Sequence, residues 1–164
     1  MTSSKTRRMA LASLFTAFAL MLSYIEAILP LAIPVPGIKL GLANLAVLLM
    51  LYTLGAPYAA AVSLLRILLA ALLFGSPFSL LYSLAGGVLA YLGMLGARLL
   101  RSPIIVASII GALLHSVGQI LAACIVTSTP ELAAYLPYML LASLLTGALI
   151  GVAGRLLLRY IPAP

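Results

Sequence analysis

A chain of 164 residues that is 65% hydrophobic and only 7% charged, with a mean hydropathy of +1.31, lacks the side chains a water-facing surface needs; soluble domains carry roughly 25% charged residues. It reads as an integral membrane protein whose exterior is solvated by hydrocarbon. The net charge of +7 comes from nine Lys and Arg against Glu26 and Glu131; these basic residues sit at the ends of apolar runs, so they speak for topology rather than for nucleic acid, and the lone Cys124 excludes an intrachain disulfide.

In chain order, residues 1–8 form a basic tail with Lys5, Arg7 and Arg8. A first helix is expected from about Met9 to Leu29, too long for a signal peptide. Pro30, Pro34 and Pro36 end it and open a loop, Pro34 to Asn44, with two prolines and two glycines. Such backbone is irregular, and beside lipid it is tolerated only where protein or water satisfies it. A second run, about Leu40 to Leu54, is short for a span. The third runs from about Tyr58 to Phe74 and the fourth from about Phe78 to Leu100. The fifth runs from Pro103 to about Val126 and the sixth from about Leu132 to Leu158. The expected fold is therefore all-α, one six-helix transmembrane domain over residues 1–164.

Lys5, Arg7, Arg8, Arg98, Arg101, Arg155 and Arg159 fall on one side of that arrangement, against Lys39 on the other. The positive-inside rule then places both termini in the cytoplasm and the Pro34–Asn44 loop on the outer face. Gly86, Gly87, Gly93 and Gly96 on helix four, and Gly147, Gly151 and Gly154 on helix six, allow close helix packing. Helix one offers Ala12/Thr16 and Ser13/Ala17 at the same spacing.

Few polar side chains fall inside the spans: Glu26, Asn44, Arg66, His115 and Gln119, with Tyr82 and Ser83 as weaker members. At 1.5 Å per residue, their distances to the outer helix ends run from about 5 Å for Glu26 to about 17 Å for His115. None lies deep in the cytoplasmic half. That asymmetry points to one polar cavity under the Lys39 loop, which would act as its lid. His115 and Gln119 share a helix face. Arg66 needs an acceptor, and Glu26 is the one acid inside the spans; a plain Glu26–Arg66 pair and a binding site are both open. Metal spacing, paired carboxylates and a phosphate loop are absent from the sequence, which argues against an enzyme and against a cofactor.

Pro36-Gly-Ile-Lys-Leu-Gly-Leu-Ala-Asn44 resembles the signature loop of the Gx transporter family, often labelled heptaprenyl diphosphate synthase component I. Leu65-Arg66, Leu73-Phe-Gly-Ser76, Leu80-Leu-Tyr-Ser-Leu-Ala-Gly-Gly87, His115-Ser-Val-Gly-Gln119, Tyr135-Leu-Pro137 and Thr146-Gly147 extend the likeness over nearly the whole chain. The family is similar in layout to the six-helix S components of energy-coupling factor transporters. That resemblance implies a substrate pocket toward the outer face, lined here by Glu26, Lys39, Asn44, Arg66, Tyr82, His115 and Gln119. It also implies a coupling subunit docking on the small residues of helix one, Ala12, Ser13, Thr16 and Ala17, and two ATPases. Prenyl diphosphate chemistry uses aspartate-rich Mg²⁺ motifs, and this chain has no aspartate. The expectation is a small-molecule capture subunit in the plasma or inner membrane; the alternative is a membrane subunit that holds a quinone or isoprenoid.

Overall fold

The computed structural model describes residues 2–28 and 39–161. Among these, every regular element is helical: α1 (Thr2–Ile28), α2 (Asn44–Thr53), α3 (Ala56–Phe74), α4 (Pro77–Leu99), α5 (Ile104–Thr127), a 3-10 turn (Pro130–Tyr135) and α6 (Leu136–Leu157). Five helical segments among the described residues are long and apolar enough to cross a membrane: Lys5–Ile28, Ala56–Phe74, Pro77–Leu99, Ile104–Thr127 and Pro130–Leu157. Their outward side chains are apolar, with Leu72, Leu100 and Ile125 each more than three-quarters exposed. The chain is a multi-pass membrane protein.

Local chemistry sets the breaks. Gly55, at φ 96°, takes the left-handed turn between α2 and α3. Ser76 caps α4 by accepting the Ser79 N–H, and Pro77 follows at a position where a missing N–H costs nothing. Pro103 precedes α5, and Ser128, at φ 51°, ends it.

Three sequence expectations are corrected here. The basic tail is not separate, because α1 starts at Thr2 and carries Lys5, Arg7 and Arg8 in its first turns. The last span opens as a tighter 3-10 turn before Pro137 sets the α-helix. The second run is not helical from Leu40: α2 has 10 residues, starts at Asn44 and covers about 15 Å, half of a hydrocarbon core of about 30 Å. Gly41, at φ 89°, turns the chain just before it.

This short helix is the centre of the bundle. It packs against α1, α3, α4, α5 and α6, and Ala46 to Leu51 are all buried. Its side chains join Ala19, Val62, Ala90, Met94 and Ala97 in the main core. Around it, α4 and α5 approach backbone to backbone: a Cβ on Gly118 would sit 2.7 Å from the Ala85 carbonyl oxygen. The α5–α6 seam is similar, with Ser108 Oγ donating to the Gly147 carbonyl at 2.7 Å and Ser116 bonded to Ser143 through their hydroxyls. Tyr24 meets Phe74 edge-on at 5.5 Å, so the C-terminal ends of α1 and α3 share one end of the bundle. At the other end Arg98 lies over the Tyr52 ring and Tyr91 O–H donates to the Ala56 carbonyl.

Candidate functional site

Where α2 begins, the apolar interior is interrupted by a polar cluster drawn from five parts of the chain. α1 contributes Ser23 and Glu26; the non-helical stretch 39–43 contributes its backbone; α2 contributes Asn44, α3 Arg66, and α5 His115 with Gln119. Glu26, Asn44, Arg66, His115 and Gln119 are each at least 95% buried. A charged side chain at membrane depth costs roughly 2.5–3.5 kcal/mol on insertion scales, so these residues need partners.

The partners are specific. Glu26 Oε1 accepts the backbone N–H groups of both Gly41 (2.5 Å) and Leu42 (2.9 Å). These donors sit just ahead of the α2 N-terminus, where a carboxylate is also favoured by the helix dipole. Arg66 Nη2 donates to Asn44 Oδ1 at 3.2 Å. The Lys39 N–H donates to Gln119 Oε1 at 3.1 Å, which makes the other amide atom the donor to His115 Nε2 at 2.9 Å. The His115 proton therefore resides on Nδ1. That atom faces the backbone of Gly86 without completing a hydrogen bond of good geometry.

Glycines make the room. A Cβ on Gly86 would lie 2.8 Å from Gln119 Cγ, and one on Gly87 would lie 2.6 Å from Ile67 Cδ1 and 3.8 Å from Arg66 Nη2. A Cβ on Gly41 would lie 2.8 Å from Asn44 Nδ2 and 3.2 Å from His115 Cδ2. The Gly86-Gly87 pair on α4 thus seats Arg66 on one side and the His115–Gln119 pair on the other.

The structure brings Glu26, Lys39, Asn44, Arg66, His115 and Gln119 together, as the sequence suggested, but not in the arrangement expected. A direct Glu26–Arg66 pair does not form, because Glu26 is held by backbone donors and Arg66 by Asn44. The described part of the loop is drawn into the bundle: Lys39 and Gly41 are buried, with the Lys39 N–H on Gln119 and Gly41 beside His115. Pro34, Pro36 and Gly37, the rest of the expected lid, lie outside the described residues. Tyr82 is set apart: it packs with Ile120, Ala123 and Met139 in an apolar cluster one turn along α4 from Gly86. On helix one, Ala12 and Thr16 face inward, with Ala12 against the core and the Thr16 hydroxyl bonded to the Ala12 carbonyl; only Ser13 and Ala17 stay exposed.

Lys39 has its ammonium 5.9 Å from the centre of the Phe74 ring. Burial lowers its pKa from the ordinary lysine value, while the Glu26 carboxylate pulls in the opposite direction. Ser23 was not anticipated from the sequence. Its hydroxyl is fully buried three residues before Glu26, on the same face of α1. A separate groove of about 380 Å³ lies between α3 and α4, lined by Leu68, Ala71, Leu72, Gly75, Ser76, Pro77 and Leu80. It holds none of the clustered residues.

A family model described as heptaprenyl diphosphate synthase component I matches residues 15–157. This is the label that the motif resemblance carries, and the match takes in all the clustered residues. No curated protein and no solved structure matches the chain.

Proposed function

The chain belongs to the heptaprenyl diphosphate synthase component I family, and we propose that it is a substrate-capture subunit for uptake of a small molecule from the outer side of the cell membrane. One observation carries this reading. Five separate parts of an otherwise apolar chain place polar side chains in one buried cluster, and several of their polar atoms have no partner among the described residues. A cluster kept only for stability would be expected to satisfy its own atoms, since each buried unsatisfied group costs about 1–3 kcal/mol. A site that awaits a ligand leaves them open.

Arg66 and Asn44 would hold the ligand, Glu26 would anchor the 39–43 stretch beneath it, and the Gln119–His115 pair would fix Lys39 by its backbone. The family description names one component of a larger system, which supports a partner subunit. The exposed Ser13 and Ala17 offer such a subunit a smooth helix face, and ATPases would bind from the basic end. Catalysis of prenyl transfer is not proposed for this chain, which contains two glutamates and no aspartate to bridge Mg²⁺ to a diphosphate.

Binding to the purified protein tests the assignment. Arg66→Ala and His115→Ala are each expected to weaken retention of the bound compound at least tenfold. Unchanged affinity in both would remove the site.

A further inference from the structure

The free atoms of the cluster differ in kind, and that difference carries information about the ligand. Asn44 Nδ2 and Arg66 Nε are donors without an acceptor. Glu26 Oε2 is an acceptor without a donor, and the Ser23 hydroxyl, one turn earlier on α1, can serve either way. Gly41 ties the two sides together: its N–H holds Glu26 Oε1, and Asn44 Nδ2 lies 2.8 Å from where its Cβ would be. A side chain at 41 would push against the Asn44 amide and the His115 ring. Charge gives a second constraint. Arg66 and Lys39 against Glu26 leave one positive charge uncompensated in a low-dielectric interior, and one negative charge closes the balance.

We infer that the site takes a small organic monoanion that also carries an N–H or O–H donor, its anionic group on Asn44 and Arg66 and its donor on Glu26. This rests on the substrate-capture reading and narrows it. A diphosphate brings too much negative charge and no donor for Glu26. A neutral quinone brings neither the charge nor the donor.

The test uses the full chain in lipid nanodiscs, dialysed to equilibrium against defined probes. Biotin, pantothenate and 4-hydroxybenzoate are monoacids with a donor. Lipoate, octanoate and benzoate are monoacids without one. Geranyl diphosphate and menadione represent the polyanion and the neutral quinone. At least one donor-bearing acid is expected to be retained tenfold or more above every acid that lacks a donor. Glu26→Gln should abolish that preference: its amide oxygen can still accept from Gly41 and Leu42, but it presents N–H where Oε2 stood. Asn44→Asp, which puts a carboxylate oxygen where Nδ2 stood, should lower retention of every acid, with or without a donor.

Retention of geranyl diphosphate or menadione that Arg66→Ala releases would overturn the ligand class and leave the site standing. Equal retention of acids with and without a donor would do the same. Retention unaffected by Arg66→Ala, or no retention of any probe, would overturn the site reading as well. Arg66→Lys, which keeps the charge and loses Nε, and a monodisperse size-exclusion profile guard against a misfolded variant.

Discussion

Glu26 and Gly41 act as one device. A single carboxylate oxygen takes two backbone N–H groups from a stretch that has no helix or sheet partner of its own, at a level where water is scarce. Glu26→Ala would orphan both donors, each costing about 1–3 kcal/mol. The apparent Tm of the purified protein should fall by about 5 °C or more. Glu26→Gln keeps the acceptor and should stay within about 2 °C of wild type in the same thermal scan, so stability and binding separate in this pair of variants. Gly41→Ala combines a strained φ of 89° with a Cβ at 2.8 Å from Asn44 Nδ2. It should cost about 1–3 kcal/mol, read as a lower melting temperature, and should also displace the Asn44 amide proposed to hold the ligand. At this scale much was legible in the sequence. Arg66, Asn44, His115 and Gln119 stand out because polar groups inside apolar runs must face inward. Their partners were not legible. The acceptor of the Gly41 and Leu42 N–H groups is a side chain 15 residues away, and no spacing rule encodes that. Ser23 passed unnoticed because serines also serve ordinary helix packing; its only signal is its place one turn before Glu26.

Among the helices, α2 departs most from its sequence. The apolar run from Leu40 to Leu54 has nothing in its hydropathy to stop a helix at Leu40, but Gly41 turns the chain and Glu26 stabilises the turn. The result is a half-span whose N-terminus ends inside the bundle, where irregular backbone is tolerated because protein satisfies it. The apolar runs made the order of the helices legible, whereas the depth at which α2 begins, and with it its length, is a tertiary property. Glycines divide in the same way. All four on α4 suit close packing by spacing, yet only contact geometry tells which ones matter. Gly118 on α5 faces the Ala85 and Gly86 backbone, so Gly118→Ala must push two helices apart. It should lower stability by about 1–3 kcal/mol. At Gly96 a Cβ meets nothing within 4 Å, and Gly96→Ala should be neutral or stabilising by up to about 1 kcal/mol. Thermal unfolding of the two variants side by side checks the contrast.

Orientation in the bilayer is a property of the whole molecule. By the positive-inside rule the seven basic residues at one end of the bundle are expected to face the cytoplasm, and the proposal of capture from outside depends on it. Glu131, in the 3-10 turn, and Arg159, past the end of α6, are both exposed and mark opposite ends. In a Cys124→Ala background, Glu131→Cys should react with a membrane-impermeant maleimide on intact cells. Arg159→Cys should react only after lysis. The polar cluster lies nearer the Glu131 end, because α2 fills the half toward the basic end with apolar side chains and leaves Asn44 at its inner tip. A solute entering from outside would therefore meet the cluster before the apolar plug. One entering from the cytoplasm would have to pass Leu48, Met50 and Leu51, all buried without a gap. The reverse labelling pattern would put the site within reach of the cytoplasm, and the capture step would then have to be an export or a sensing step.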